Sequence, residues 1–444
     1  MKKYIKYFII FIFSLIILLF SYNIFFGDSI ANFGFSYALV RGEIPYNDFN
    51  MILPLFSPLF YAIPLLIYNS SITFFITQAI LVTVLFYLLE TKFNNKIYLL
   101  SFIILFNFPI ALVSGLFPGY NFIIFFLIIL LSILDNKNIN DYIIGFLIGL
   151  AIVTKHTVGI FLVIPSLIFY FKDYKKLLKR FVGFLIPCFI FLIYLLITKS
   201  FNNFFNLCIL GIFDFADKNK ANSNIFLFIV FGFIICYFIY LIIKNKRIDY
   251  YYLFLTSLLV IPLFDEYHLS YFIISFLIVF LDNIKFNNIY KYSLIILNIL
   301  IIFIWSFITF NYDDYRFINY KNYPFRYMSN SMIDGYNYID NFIKNTDKEV
   351  ILFMLGTENY FYKITNDLDI TYFDLSNYGN YGYNSYNNMK KRIDELDDCY
   401  YIINNYALNS YNKNQQYYKE LANYIISKGN IVDTNKNYSI YYID

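Results

Sequence analysis

A few ionisable residues stand out against long apolar runs, and their types suit acid–base and phosphate chemistry: Asp28, Asp48, Lys155, His156, Asp265, Glu266 and His268. A carboxylate at a membrane interface, such as Asp28, can act as a general base, because partial desolvation raises its proton affinity while leaving it ionised near neutral pH. Asp28 also stands where a helix N-cap belongs, and satisfying the first N–H groups is the alternative role. Lys155 and His156 interrupt the apolar run Gly149 to Leu162. A lysine charge with an imidazole beside it suits a lipid-linked phosphate; anchoring by a snorkelling lysine is the plainer role. Asp48 lies in the turn-rich run Arg41-Gly42-Glu43-Ile44-Pro45-Tyr46-Asn47-Asp48-Phe49, where it either binds substrate hydroxyls or is a solvated loop acid. Asp265, Glu266 and His268 are dense enough to ligate a metal, but acceptor binding or interfacial anchoring ranks first and no metal site is predicted.

What must position these residues is mostly membrane. At 59% hydrophobic and 14% charged over 444 residues, with positive mean hydropathy, the chain is too apolar for a soluble globule, and a polytopic α-helical membrane protein is predicted. The net charge of +4 is small and speaks to membrane orientation rather than to a nucleic-acid partner. Four cysteines without Cys-x-x-Cys spacing argue against disulfides and a cysteine metal site. The start, Met1-Lys2-Lys3 and an apolar stretch to Phe26, is read as an uncleaved first span.

Eleven transmembrane helices are expected, near 4–26, 72–90, 97–113, 120–134, 142–155, 157–171, 181–198, 225–243, 249–264, 269–283 and 291–310. The stretch 52–68 is apolar but carries Pro54, Pro58 and Pro64, each of which removes a helix hydrogen bond. If it crossed, the loop Lys172, Lys175, Lys176, Lys179, Arg180 and the group Lys244, Lys246, Arg247 would fall outside, against the positive-inside tendency. A re-entrant or interfacial segment instead makes every basic loop cytoplasmic, beginning with the N-terminus. The same parity places outside the loop 27–70, the turn Ser114 to Gly119, the Lys155-His156 junction, the loop 199–224, the Asp265 to His268 turn and everything after 313. Only Lys and Arg entered that argument, so the gathering of acids and both histidines on one face points to an outward-facing site.

After Asp28 the residues Ile30, Phe33, Tyr37 and Ala38 recur at helical spacing with Asn32, Ser36 and Arg41 between them, predicting an amphipathic helix on the outer surface. Residues 1–312 are read as one transmembrane domain. The tail, 313–444, alternates strand-like runs at Glu349 to Leu355, Asp369 to Leu375 and Cys399 to Tyr406 with helix-like stretches near 386–396 and 414–428. A closing hairpin over Ile431-Val432 and Tyr438 to Ile443 completes a small extracytoplasmic α/β domain.

With these residues in order, the chain resembles the GT-C glycosyltransferases, in the branch that includes protein O-mannosyltransferases and lipid A aminoarabinose transferases. The resemblance covers about the first 200 residues. It is carried by Asp28 after the first span, the helix to Arg41, the run Gly42 to Phe49, the segment Leu53-Pro54 through Pro58, and Gly149-Leu150 with Thr154-Lys155-His156-Thr157-Val158-Gly159. The family often shows an Asp-Glu pair where this chain has Asp28-Ser29, and a lysine before its proline pair where this chain has Leu53-Pro54.

The resemblance implies transfer of a sugar from a polyprenyl-phosphate carrier to a glycan, lipid or protein acceptor on the outer face of the cytoplasmic membrane, with no cofactor required. Asp28 would be the catalytic base. Lys155, His156 and Arg41 would bind the donor phosphate, and Tyr46, Asp48, Glu266 and His268 would contact substrate. The alternatives are a flippase for lipid-linked glycans and a non-catalytic envelope scaffold.

Overall fold

The computed structural model describes residues 2–22, 28–93, 117–137, 139–218, 225–261, 264, 266–283, 314–324, 326–353, 358–371, 380–405, 408 and 416–444; the side chains of Asp28 and Glu266 lie outside the description. The described part is mainly helical, followed by a small C-terminal α/β unit. In chain order the apolar helices are α1 (Lys2–Tyr22), α2 (Asp28–Val40), α3 (Phe56–Leu65), α4 (Ser71–Phe93), α5 (Tyr120–Leu134), α6 (Asp141–Ile152), α7 (His156–Tyr170), α8 (Tyr174–Ile197), α9 (Ile225–Asn245), α10 (Ile248–Val260) and α11 (Glu266–Asn283).

Among the described residues, three helices are long and apolar enough to cross a membrane: Ser71–Lys92, Tyr174–Ile197 and Phe228–Asn245. They coincide with three of the eleven expected spans, those at 72–90, 181–198 and 225–243. Helices α5, α6, α7 and α10 have 12 to 15 residues, about 18–22 Å of axis against a hydrocarbon core of about 30 Å. They are short because the chain turns at charged and capping positions: Asn140 caps α6 through Tyr142 N–H, and Asp173 caps α8 through Lys176 N–H. The spans expected at 97–113 and 291–310 lie outside the described residues.

One end of the helical layer is tied by ion pairs. Arg180 holds Asp135 through two nitrogens at 2.9 and 2.5 Å and reaches Asp141 at 2.9 Å; Tyr252 and Ser166 complete that group. Lys92 meets Asp249 at 2.6 Å, and Arg247 joins Asp249 to Asp282. Lys6 meets Glu90 at 2.7 Å. The ends of α1, α4, α5, α8, α10 and α11 are thereby fixed together. Such buried charges are tolerated because each is paired and hydrogen-bonded.

Helices α6 and α8 touch backbone to backbone. A Cβ added at Gly145 would lie 1.8 Å from the Arg180 carbonyl oxygen, one at Gly183 would lie 2.1 Å from that of Tyr142, and one at Gly149 would meet Pro187. Gly145 and Gly149, four apart, form one bare stripe on α6. Small residues at this spacing let apolar helices approach where apolar association alone supplies little.

The expected amphipathic surface helix does form as α2, but it is not on the surface. Every residue from Ser29 to Ala38 is buried. The polar residues Asn32 and Ser36, read as its wet face, are inside; the Ser36 hydroxyl is satisfied by the Asn32 carbonyl at 2.9 Å. Helix α3, Phe74 of α4 and the Gly119 turn cover part of α2, and the C-terminal unit lies over its Gly34 and Tyr37 side. Helix α3 has only ten residues and leaves Leu59, Ile63, Leu66 and Ile67 exposed. It is too short to span, in keeping with a segment that dips or lies flat.

The C-terminal unit begins with a hairpin, β1 (Tyr315–Ile318) and β2 (Arg326–Ser329), then α12 (Asn330–Lys344). A four-stranded sheet follows, from β3 (Glu349–Phe353), β4 (Cys399–Asn404), β5 (Asn430–Thr434) and β6 (Tyr438–Ile443), in spatial order β3-β4-β6-β5. Strands β3 and β4 are parallel, and β6 is antiparallel to both β4 and β5. Helices α13 (Glu358–Thr365), α14 (Ser385–Asp394) and α15 (Gln416–Lys428) complete it. The hairpin over 431–443 and the strands at 349 and 399 match the expectation. The run expected as a strand from Asp369 does not pair through Thr371, and the rest of it lies outside the described residues.

Candidate active site

The apolar helices bring three polar residues from distant parts of the chain into one line. Asn121, in the first turn of α5, is fully buried. Its Oδ1 accepts from the Lys155 ammonium at 3.0 Å, and its amide nitrogen lies 3.3 Å from His268 Nε2. Lys155 and His268 are each 5% exposed. The Lys155 Nζ also faces the Tyr120 ring, 5.3 Å from its centroid.

The order of atoms fixes the chemistry. An ammonium has only donors, so Lys155 holds the Asn121 amide with its oxygen inward and its nitrogen toward His268. The amide nitrogen then donates, and His268 Nε2 must accept. The network thereby assigns the His268 ring proton to Nδ1.

Local structure explains why these positions meet. Lys155 adopts an extended backbone at the N-cap of α7, after the turn that closes α6. Its ammonium therefore sits beside the N-terminal end of α7, whose partial positive charge adds to its own. Asn121 follows Gly119, the N-cap of α5, whose φ of +156° belongs to glycine. A Cβ at Gly119 would also lie 2.8 Å from the Asn32 amide nitrogen. Asn32 of α2 is thus pressed onto the turn that leads into Asn121. Asp28 opens the same helix one turn earlier, on the same side as Asn32.

Of the residues singled out by sequence, Lys155 and His268 come together through Asn121, and Asp28 is the first residue of α2, whose Asn32 packs on the Gly119 turn. His156 does not join the chain: both of its ring nitrogens are buried without a hydrogen bond of ordinary geometry, with the Cys208 backbone facing the ring. Arg41 is engaged by the C-terminal unit, pairing with Asp367 at 2.8 Å and Asp369 at 2.7 Å. Tyr46 is fully buried, with φ of +70°, and its hydroxyl donates to the Leu53 carbonyl at 2.8 Å, closing its own loop. Asp48 accepts from Ile44 N–H at 2.6 Å in the same loop. Glu266 is the first residue of α11, two before His268, and Asp265 lies outside the described residues.

Asn121 and Asn32 were missed by sequence reading. Both are neutral amides in a chain with many asparagines, and the one signal was a polar side chain two residues after the Gly119 turn. Where α2 meets the C-terminal unit, burial foremost pushes the Tyr37 phenol up, and the Tyr37 bond foremost holds Asp367 below the usual carboxylate range.

The chain matches no family model, no curated protein and no solved structure.

Proposed function

We propose that this chain is a multi-pass membrane glycosyltransferase that moves a sugar from a polyprenyl-phosphate carrier to a cell-envelope acceptor on the outer face of the cytoplasmic membrane. The observation that carries the reading is the buried Lys155–Asn121–His268 line, entered by the Gly119 turn on which Asn32 of α2 packs. A fixed ammonium at the mouth of an apolar helical layer is what a lipid-linked leaving phosphate needs. The ion pairs at the other end gather Lys6, Lys92, Arg180 and Arg247, the residues that the positive-inside tendency assigns to the cytoplasm.

In this reading Asp28 takes the proton of an acceptor hydroxyl, whose oxygen forms the new bond to the anomeric carbon. The bond from that carbon to the phosphate oxygen breaks, and the polyprenyl phosphate departs with its charge offset by Lys155. Asn121 orients the ammonium, and His268 holds Asn121 from its other end. The short helices fit a protein whose polar line sits at helix ends; a flippase would hold its ionisable groups near the midplane of broken helices.

The test is label transfer by purified protein in lipid, with radiolabelled polyprenyl-phosphate sugars as donors and a membrane extract as acceptor. Wild type transfers label; Asp28→Asn, folded by size exclusion, does not. Full transfer by Asp28→Asn removes the assigned base, and no transfer by wild type from any donor removes the enzyme.

A further inference from the structure

Helix α2 has two working faces. Taking 100° per residue, Asp28 and Asn32 fall on one side, while Gly34, Tyr37 and the following Arg41 fall on the opposite one. The first side meets the site: Asn32 presses on Gly119, two residues before Asn121. The second side meets the C-terminal unit. A Cβ at Gly34 would lie 2.6 Å from the Tyr360 ring, so that ring rests on bare backbone. Tyr37 donates to Asp367. Arg41 pairs with Asp367 and Asp369, and just beyond it Glu43 accepts from Ile370 N–H at 3.2 Å.

The helix is therefore a wedge with no slack on either side. On the site side Asn32 already stands too close to Gly119 for a methyl group, and on the far side Tyr360 stands too close to Gly34. Close-packed interiors transmit such displacements rather than absorb them. A change in the seat of the C-terminal unit must appear as a change in where Asn32 and the start of α2 stand.

We propose that the C-terminal unit sets the position of α2 in the site, with Tyr360 and Arg41 as positioning residues acting on the Gly34–Tyr37–Arg41 stripe. The kinetic part rests on the transferase reading; the placement of α2 does not.

The experiment uses the full chain in lipid, carrying Asn32→Cys as a reporter. Position 32 is 4% exposed, and the native Cys208, fully buried and bonded to the Met51 carbonyl, reports global unfolding in the same molecule. Thiol labelling by a water-soluble reagent is expected to be slow at both sites. Adding Gly34→Ala should raise labelling at 32 severalfold while Cys208 stays protected, and Tyr360→Leu added to Gly34→Ala should restore protection by making room for the methyl group. Arg41→Gln, which adds no bulk, should raise labelling at 32 in the same direction.

With the native Asn32, Gly34→Ala should lower kcat by roughly tenfold to a hundredfold with little change in KM for the donor, as a misplaced base would, and Tyr360→Leu should recover it. Unchanged labelling at 32 in both Gly34→Ala and Arg41→Gln overturns the proposal, as does rescue failure by Tyr360→Leu in a protein whose Cys208 stays protected. Altered labelling at position 32 in these variants, with a wild type that transfers no sugar, would sustain the positioning and remove only the transferase reading.

Discussion

Asn121 separates a charge from a ring, and its amide can be changed without changing its shape. On the proposed transferase reading, Asn121→Asp would place a carboxylate beside Lys155 and neutralise the charge offered to a departing phosphate. We expect the isosteric variant to fold and to lose roughly a hundredfold in transfer, the scale of losing one donor to a developing anion; steady-state kinetics on the reconstituted protein checks it. Lys155→Met should lose at least as much. Lys155 and His268 were legible in the sequence because a charged side chain inside apolar surroundings is conspicuous. Asn121 was not: a neutral amide among many asparagines carries no signal until the fold shows what it touches. Arg41, Tyr46 and Asp48 were legible as unusual, yet their partners at Asp367, Leu53 and Ile44 depend on loop closure and on a distant domain.

Among the elements, the α6–α8 contact offers the sharpest stability test. Gly145→Ala places a methyl group 1.8 Å from the Arg180 carbonyl oxygen, whereas Gly232 on α9 has no atom within 4 Å of its added Cβ. Gly145→Ala should therefore destabilise by at least about 1–3 kcal/mol, while Gly232→Ala should be neutral or gain up to about 1 kcal/mol from helix propensity. Thermal unfolding in detergent separates the two.

The ion pair beside that contact gives a second test. Arg180→Met strands the buried Asp135 carboxylate and should cost about 3–5 kcal/mol, with Asp135→Leu added to it recovering much of the loss. Helix positions such as 120–134 and 225–243 were readable from apolar length alone. Whether each was long enough to cross was not, because caps at Asn140 and Asp173 and the turn at Lys155 trim runs that hydropathy reads as continuous. Helix α2 shows the other limit: its periodicity was right, but its polar Asn32 is covered by the turn at Gly119 and its Tyr37 side by residues more than 300 positions away.

For the molecule as a whole, the seam between the helical layer and the C-terminal unit is held partly by charge. Arg41, Asp367 and Asp369 are partly exposed, so high salt should weaken the seam, and proteolysis of the C-terminal unit should speed up with ionic strength. Acid acts with a defined sign. Asp367 is held below the ordinary carboxylate range, foremost by Tyr37, so its contribution is present above that range and is lost as pH falls through the lowered value. Asp367→Asn should remove that acid-sensitive component, read as protease resistance between neutral and acidic pH. The α/β character of the unit was visible from alternating strands and helices. Its seat was not, since nothing local to 358–370 announces a partner at 34–43.

The wedge also has a consequence in time. Arg41 and Asp367 are 326 residues apart, and at about 5–20 residues per second of synthesis the ribosome needs roughly 16–65 s to supply the second after the first. Through that interval the nascent chain holds Asp28 and Asn32, and from partway Lys155, but not the surface that seats α2. A chain interrupted before 358 would hold α2 without the surface that seats it, so the arrangement around α2 is completed late, only when the last third has closed over the first.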